Sequence, residues 1–187
     1  MERASLLTKL SAKNGLIISA VTIVISLTMY FIDPLMAYTS FWVGILLFVV
    51  FIGLLVYAGI TIRKEVGGYW TFGEAFKSFL VMALILAALS TLYNVVLMAV
   101  IDPSLPETAG AVLDENSRAM MAKFGMDEDK IEEAVAQSGS NVDRLKITPK
   151  NVVTSFGAML AVYAVIALIM AAILKKKEPL YKQGIEE

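Results

Sequence analysis

Four long stretches of the chain contain no Asp, Glu, Lys, Arg or His: Gly15–Ile32, Phe41–Ile62, Ser78–Ile101 and Val152–Leu174. Each is 18 residues or longer. About 20 residues of α-helix cross a hydrocarbon core of about 30 Å. In that core no water is available to the backbone, so a crossing segment must bond internally, as a helix does. The sequence therefore predicts an all-α, polytopic membrane protein with four spans, 15–32, 41–62, 78–101 and 152–174. Its connecting segments are a loop at 63–77 and a longer one at 102–150.

Charge orients the spans. Residues 1–14, 63–77 and 175–187 together carry ten Lys/Arg and six Asp/Glu, whereas 102–150 carries six Lys/Arg and ten Asp/Glu. The turn around Asp33 has no basic residue. Lys and Arg near helix ends stay on the cytoplasmic side. Both termini and the 63–77 loop are thus expected inside, and 33–40 and 102–150 outside. Four spans also demand both termini on one side. Lys9 and Lys13 precede the first span like the basic region of a signal peptide. Its apolar run is too long for one and no small-x-small site follows, so a retained anchor is expected.

The absence of Cys and His makes zinc chemistry improbable and removes the usual acid–base group near neutral pH. No cofactor is expected. The acidic cluster Asp127, Glu128, Asp129, Glu132 and Glu133 lacks the alternating ligands and central glycine of a calcium loop. It reads as the solvated start of a helix, where the dipole favours acids. No metal site and no catalytic site are expected.

Spans one and three both end in Ile-Asp-Pro (Ile32–Pro34 and Ile101–Pro103), and spans two and four both end in basic residues. The chain is consistent with two hairpins in tandem, as in some transporters. The same pattern follows from the ordinary need for a boundary residue at each membrane exit. The long loop reads as a small helical hairpin. Leu113, Met120 and Phe124 fall on one helical face. Gly125 ends that helix, Asp127 caps a second bearing Ile131 and Val135, and Ser138-Gly139 closes it. Thr148-Pro149 reads as N-cap and first-turn proline of the last span.

The most distinctive local sequence is Gly67-Gly68-Tyr69-Trp70-Thr71-Phe72-Gly73-Glu74-Ala75-Phe76-Lys77. Thr71 and Glu74 match a capping box. Tyr69, Trp70, Phe72, Phe76 and Phe79 supply rings for an interfacial belt. Gly67 and Gly68 permit positive φ. One reading is a well-made connector. The other is a patch for an anionic headgroup, built from Arg63, Lys64, Gly67, Gly68, Trp70, Thr71, Glu74 and Lys77, using the free N–H groups of a helix start. The connector reading is favoured, because basic residues are expected on this side in any case.

That segment, the Ile-Asp-Pro exit of span three and the Gly-Met-Asp-Glu of the acidic loop together resemble the DUF4199 family, bacterial membrane proteins mainly of Bacteroidota. The resemblance covers nearly the whole chain. It implies a four-span protein of the bacterial cytoplasmic (inner) membrane and carries no catalytic residues over.

Small residues mark the last two spans. Ala83, Ala87, Ser90 and Asn94 form a stripe on span three, and Gly157, Ala161, Ala164 and Ala171 one on span four. Such stripes let helices approach closely in lipid. Asn94 reads as an interhelical hydrogen bond within this packing. The alternative is a polar lining to a substrate path.

The function expected from these residues is non-enzymatic: a scaffold, assembly factor or regulatory subunit. The alternative is a carrier or flippase-like accessory for a lipid-linked or anionic lipid substrate. Ion-coupled transport usually needs buried ionisable groups, and intramembrane hydrolysis needs paired carboxylates, metal ligands or an activated nucleophile. No span supplies them. The expected partners are the lipid bilayer and a second copy or another membrane protein, with no nucleic acid.

Overall fold

A computed structural model of the chain describes residues 2–177. The expected cytoplasmic C-terminal end, from residue 178 on, lies outside the described residues. In order, the helices are α1 (Glu2–Ile32), α2 (Met36–Thr39), α3 (Phe41–Glu65), α4 (Phe72–Val96), α5 (Leu105–Lys123), α6 (Glu128–Ser138), α7 (Asn141–Leu145) and α8 (Pro149–Leu174). A π-helical turn, Leu97–Ile101, continues α4. The fold is all-α. Four of its helices, of 31, 25, 30 and 26 residues, are long and apolar enough to cross a membrane. At about 1.5 Å per residue α1 is roughly 46 Å long, well beyond the uncharged stretch that begins at Gly15.

The chain divides into two compact units. The first draws on residues 2–22, 49–90 and 156–177. Its core holds Leu7, Leu10 and Ile18 of α1, Leu55, Ala58 and Ile62 of α3, Phe79, Met82 and Leu86 of α4, and Ala167, Met170, Ala171 and Leu174 of α8. Two glycines set the spacing here. A Cβ on Gly15 would lie 3.2 Å from Met82 Cα and 3.4 Å from Ile85 Cβ. One on Gly59 would lie 2.6 Å from Leu174 Cδ1 and 2.8 Å from Phe79 Cζ. Gly15 belongs to a buried row Ser11, Gly15, Ser19 on α1, in which each serine returns its hydroxyl to the backbone four residues earlier, to Leu7 O (2.7 Å) and Gly15 O (2.8 Å). These bonds satisfy the hydroxyls without a partner helix, which leaves a small surface for close approach.

The second unit comprises residues 23–48 and 91–155. Its core is Leu97, Met98, Leu105 and Ala109, with Tyr30, Leu35, Tyr38, Tyr93 and Leu145 packed against it. The two Ile-Asp-Pro exits share one bond, a carboxylate that accepts from the backbone N–H two residues on, although span one leaves as an α-helix and span three as a π-helical turn. Asp33 Oδ1 accepts from Leu35 N (2.9 Å) and Asp102 Oδ1 from Ser104 N (3.1 Å). Asp102 also accepts from the Ser104 hydroxyl, Leu105 N and the Tyr30 hydroxyl. It thereby caps α5 and ties it to α1.

The long loop holds three helices, not a two-helix hairpin. Its expected apolar face is not the buried one: Met120 and Phe124 are 57% and 83% exposed, and Leu113 is only half-buried. α5 instead buries Leu105, Pro106, Ala109 and Gly110. The cause is α7, the third helix of this region. Val142 of α7 sits so close that a Cβ on Gly110 would be 2.5 Å from its Cα. Asp114 fixes this pairing by accepting from the Ser140 hydroxyl (2.7 Å), Asn141 N (2.9 Å) and Asn141 Nδ2 (2.7 Å). Those bonds, the Ser140 hydroxyl first, hold the Asp114 carboxyl below its usual range. Asp127 occupies the N-cap position of α6, but its side chain makes no capping bond there. Thr148 does cap α8, accepting from Asn151 N at 3.2 Å.

Candidate functional site

The segment from α3 to α4 turns on two glycines. Gly67 and Gly68 have φ of +96° and +84°, a region that costs other residues energy. Gly68 N donates to Arg63 O (2.8 Å), which closes the end of α3. The capping box is complete. Thr71 N donates to Glu74 Oε2 (2.9 Å), and Glu74 N donates to Thr71 Oγ1 (3.3 Å).

Two arginines hold this turn. Arg3 of α1 donates to Glu74 Oε1 (2.8 Å), Val66 O (2.9 Å) and Tyr69 O (2.9 Å). It thus clamps the loop with one planar fork, a geometry lysine lacks. Arg63 donates to Leu174 O (3.1 Å), an orphan carbonyl at the end of α8. The chain just beyond α8 then pairs with the loop itself, Trp70 N to Lys176 O at 2.7 Å and Lys176 N to Trp70 O at 2.8 Å. Residues from α1, the α3–α4 loop and the end of α8 therefore close one cluster.

Trp70 corrects the belt expected for this loop. Its side chain is fully buried and lies against Phe79, with ring centroids 5.6 Å apart. It is a core residue, and its indole N–H has no hydrogen-bond partner among the described residues. The exposed rings are Phe72, stacked on Phe76 at 6.2 Å, and the partly exposed Tyr69. Lys175 Nζ stands 5.9 Å from the Phe72 ring centroid and Lys176 Nζ 5.9 Å from that of Tyr69.

The eight residues expected to form a headgroup patch thus separate by role. Arg63, Thr71 and Glu74 bond within the chain, Gly67 and Gly68 make the turn, and Trp70 fills the core. Lys64 and Lys77 are exposed, and the structure adds Lys175, Lys176 and the exposed Lys177 to them. Arg3 was missed because its partners lie 63 to 71 residues away. Only its position near the chain start, two turns before the buried Leu10, hinted at a role.

The small-residue stripes are placed unevenly. Ala83 and Ala87 of α4 are buried, and Ala171 of α8 is fully buried. Gly157 and Ala161 are exposed, and Gly157 has nothing within 4 Å of where a Cβ would be. Ala164 and Ser90 are half-buried. The packing face of α8 runs through Ala167, Met170, Ala171 and Leu174 instead. Gly15 of α1, outside both stripes, brings its helix against the α4 backbone at Met82. Asn94 is half-buried and lines a cavity of about 120 Å³ with Tyr30, Tyr38 and Tyr93.

No curated protein and no solved structure matches the chain. The family described as "Protein of unknown function (DUF4199)" matches residues 13–176, a range that takes in α1 from residue 13 on, the other three long apolar helices, the glycine turn and the capping box. The chain belongs to the DUF4199 family.

Proposed function

We propose that this protein is a non-enzymatic integral protein of the bacterial inner membrane, both termini cytoplasmic, that acts as a scaffold, assembly factor or regulatory subunit. One observation carries this reading. The polar groups of the α3–α4 loop that could serve chemistry are used on the chain itself, Arg3 and Arg63 on backbone carbonyls and Glu74 on Arg3 and Thr71. What remains exposed at this end of the first unit is basic, namely Lys64, Lys77, Lys175, Lys176 and Lys177, with Lys175 at the Phe72 ring and Lys176 at that of Tyr69. Such a surface suits a partner that brings acidic and apolar groups, either another membrane protein or the anionic leaflet. Orientation follows from the charge asymmetry of the loops.

The second reading, a carrier-like accessory for a lipid-linked substrate, is favoured by the cavity that Asn94, Tyr30, Tyr38 and Tyr93 line together with apolar side chains. Affinity purification in mild detergent, followed by identification of bound proteins and lipids, separates the two. The scaffold reading expects a stoichiometric protein partner that is lost when Lys77 and Lys175 are changed to Glu. A stoichiometric polyprenyl lipid with no protein partner overturns it in favour of the carrier reading.

A further inference from the structure

Within the second unit, two helix faces form the walls of an open groove of about 770 Å³. One wall is Phe41, Gly44, Ile45 and Phe48 of α3, and the other is Asn116, Ala119, Met120 and Lys123 of α5. Both sets follow the i, i+3, i+4, i+7 spacing of a single helical face. Residues 37–40, at the end of α2, also line it. Asn116 fixes the wall by donating to Tyr38 O at 2.9 Å. Gly44 and Ala119 keep the middle wide, and a Cβ on Gly44 would meet nothing within 4 Å. The volume falls inside the range of about 300–1,000 Å³ usual for small-molecule sites.

The geometry points to a site for one phospholipid with an anionic headgroup, and this inference stands independently of the scaffold reading. The α3 wall lies inside the uncharged stretch 41–62, so an occupant reaches Ile45 and Phe48 from the bilayer. The α5 wall belongs to the charged loop, so the same occupant meets a polar end. Phe41, Phe48 and Met120 remain 74%, 56% and 57% exposed, an apolar surface that an acyl chain covers. The polar end is cationic. Lys123 is exposed and makes no ion pair among the described residues. Charge complementarity therefore selects an anionic phosphate over a zwitterionic headgroup, whose ammonium would stand beside Lys123.

The test is native mass spectrometry of the full-length protein, delipidated in detergent and titrated with phosphatidylglycerol or phosphatidylcholine. The wild type should retain one phosphatidylglycerol in preference to phosphatidylcholine. Lys123→Gln should weaken that preference about fivefold, the effect of one cation near an anionic surface, and Lys123→Arg should restore it. Gly44→Leu places a side chain in the middle of the groove, where a Cβ meets nothing within 4 Å, and should weaken lipid binding. Gly53→Leu, on the same helix with nothing within 4 Å, should bind as wild type does. Wild-type binding by both Lys123→Gln and Gly44→Leu overturns the assignment, leaving non-specific annular lipid. So does a Gly44→Leu variant that changes from dimer to monomer with its lipid unaltered, which would make the occupant a helix of a second copy.

Discussion

Replacing Gly15 with Leu tests how the first unit is packed. A Cβ at this position already lies 3.2 Å from Met82 Cα and 3.4 Å from Ile85 Cβ, and the first of these is backbone that no rotamer change can move. Alanine demands a shift of a few tenths of an ångström and gains about 0.5–1 kcal/mol of helix preference over glycine, so it should be nearly neutral. Leucine adds three more carbons to a space that is already filled. Overpacking of this kind costs about 1–3 kcal/mol. A loss of ~2 kcal/mol in a chain of 187 residues corresponds to a fall in Tm of about 4–8 °C. Gly157→Leu is the matched control, since it adds the same atoms to an exposed span position with nothing within 4 Å. A thermal-shift assay in detergent should show Gly15→Leu well below wild type and Gly157→Leu within about 0.5 kcal/mol of it. Equal stability of the two variants would refute the close approach of α1 and α4 and the packing built on it.

Other perturbations have equally direct readouts. Ala87→Leu should destabilise because Ala87 is fully buried, whereas Ala161→Leu should be silent because Ala161 is exposed; the same thermal assay reads both. Trp70→Ala should cost about 3–5 kcal/mol, as for a buried aromatic, and the remaining fluorescence should be that of the exposed Trp42. Arg3→Gln should lose about 1 kcal/mol, since the pair with Glu74 is half-exposed and weakly coupled, and should speed proteolysis between Val66 and Thr71. The Asp114 carboxyl is held below its ordinary value, so its stabilisation is present above an unfolded pKa of about 3.9 and is lost as pH falls through the folded value. The protection of amides 139–147, taken relative to their intrinsic exchange rates, should therefore fall below about pH 4, and Asp114→Ala should lack that protection already at pH 7.

What could be read from the sequence was local. The spans announced themselves because a lone charge in lipid is costly, and each stretch of 18 or more uncharged residues is long enough to be unambiguous. The Thr71–Glu74 box and the Thr148 cap were legible because their partners lie three residues away. What escaped depends on distant parts of the chain. Trp70 resembles a belt residue until the backbone beyond α8 covers it. The buried face of α5 cannot be chosen without α7, and α7 is positioned by Asp114 contacts 26 and 27 residues away. The row Ser11, Gly15, Ser19 straddles the start of the uncharged stretch, so a reading bounded by charge cut it in two. On α8 the small residues Gly157 and Ala161 matched a packing stripe, but periodicity does not distinguish a helix face against protein from one against lipid.

The central claim is a four-span protein with both termini inside and the α5–α7 region outside. The chain contains no Cys, so single-cysteine variants report position without background. Gln137→Cys lies on exposed α6 and Ser5→Cys on the exposed first turns of α1. In intact spheroplasts treated with an impermeant maleimide, the account predicts labelling of Gln137→Cys and none of Ser5→Cys until the membrane is permeabilised. Labelling of Ser5→Cys in intact cells, with or without Gln137→Cys, would contradict it.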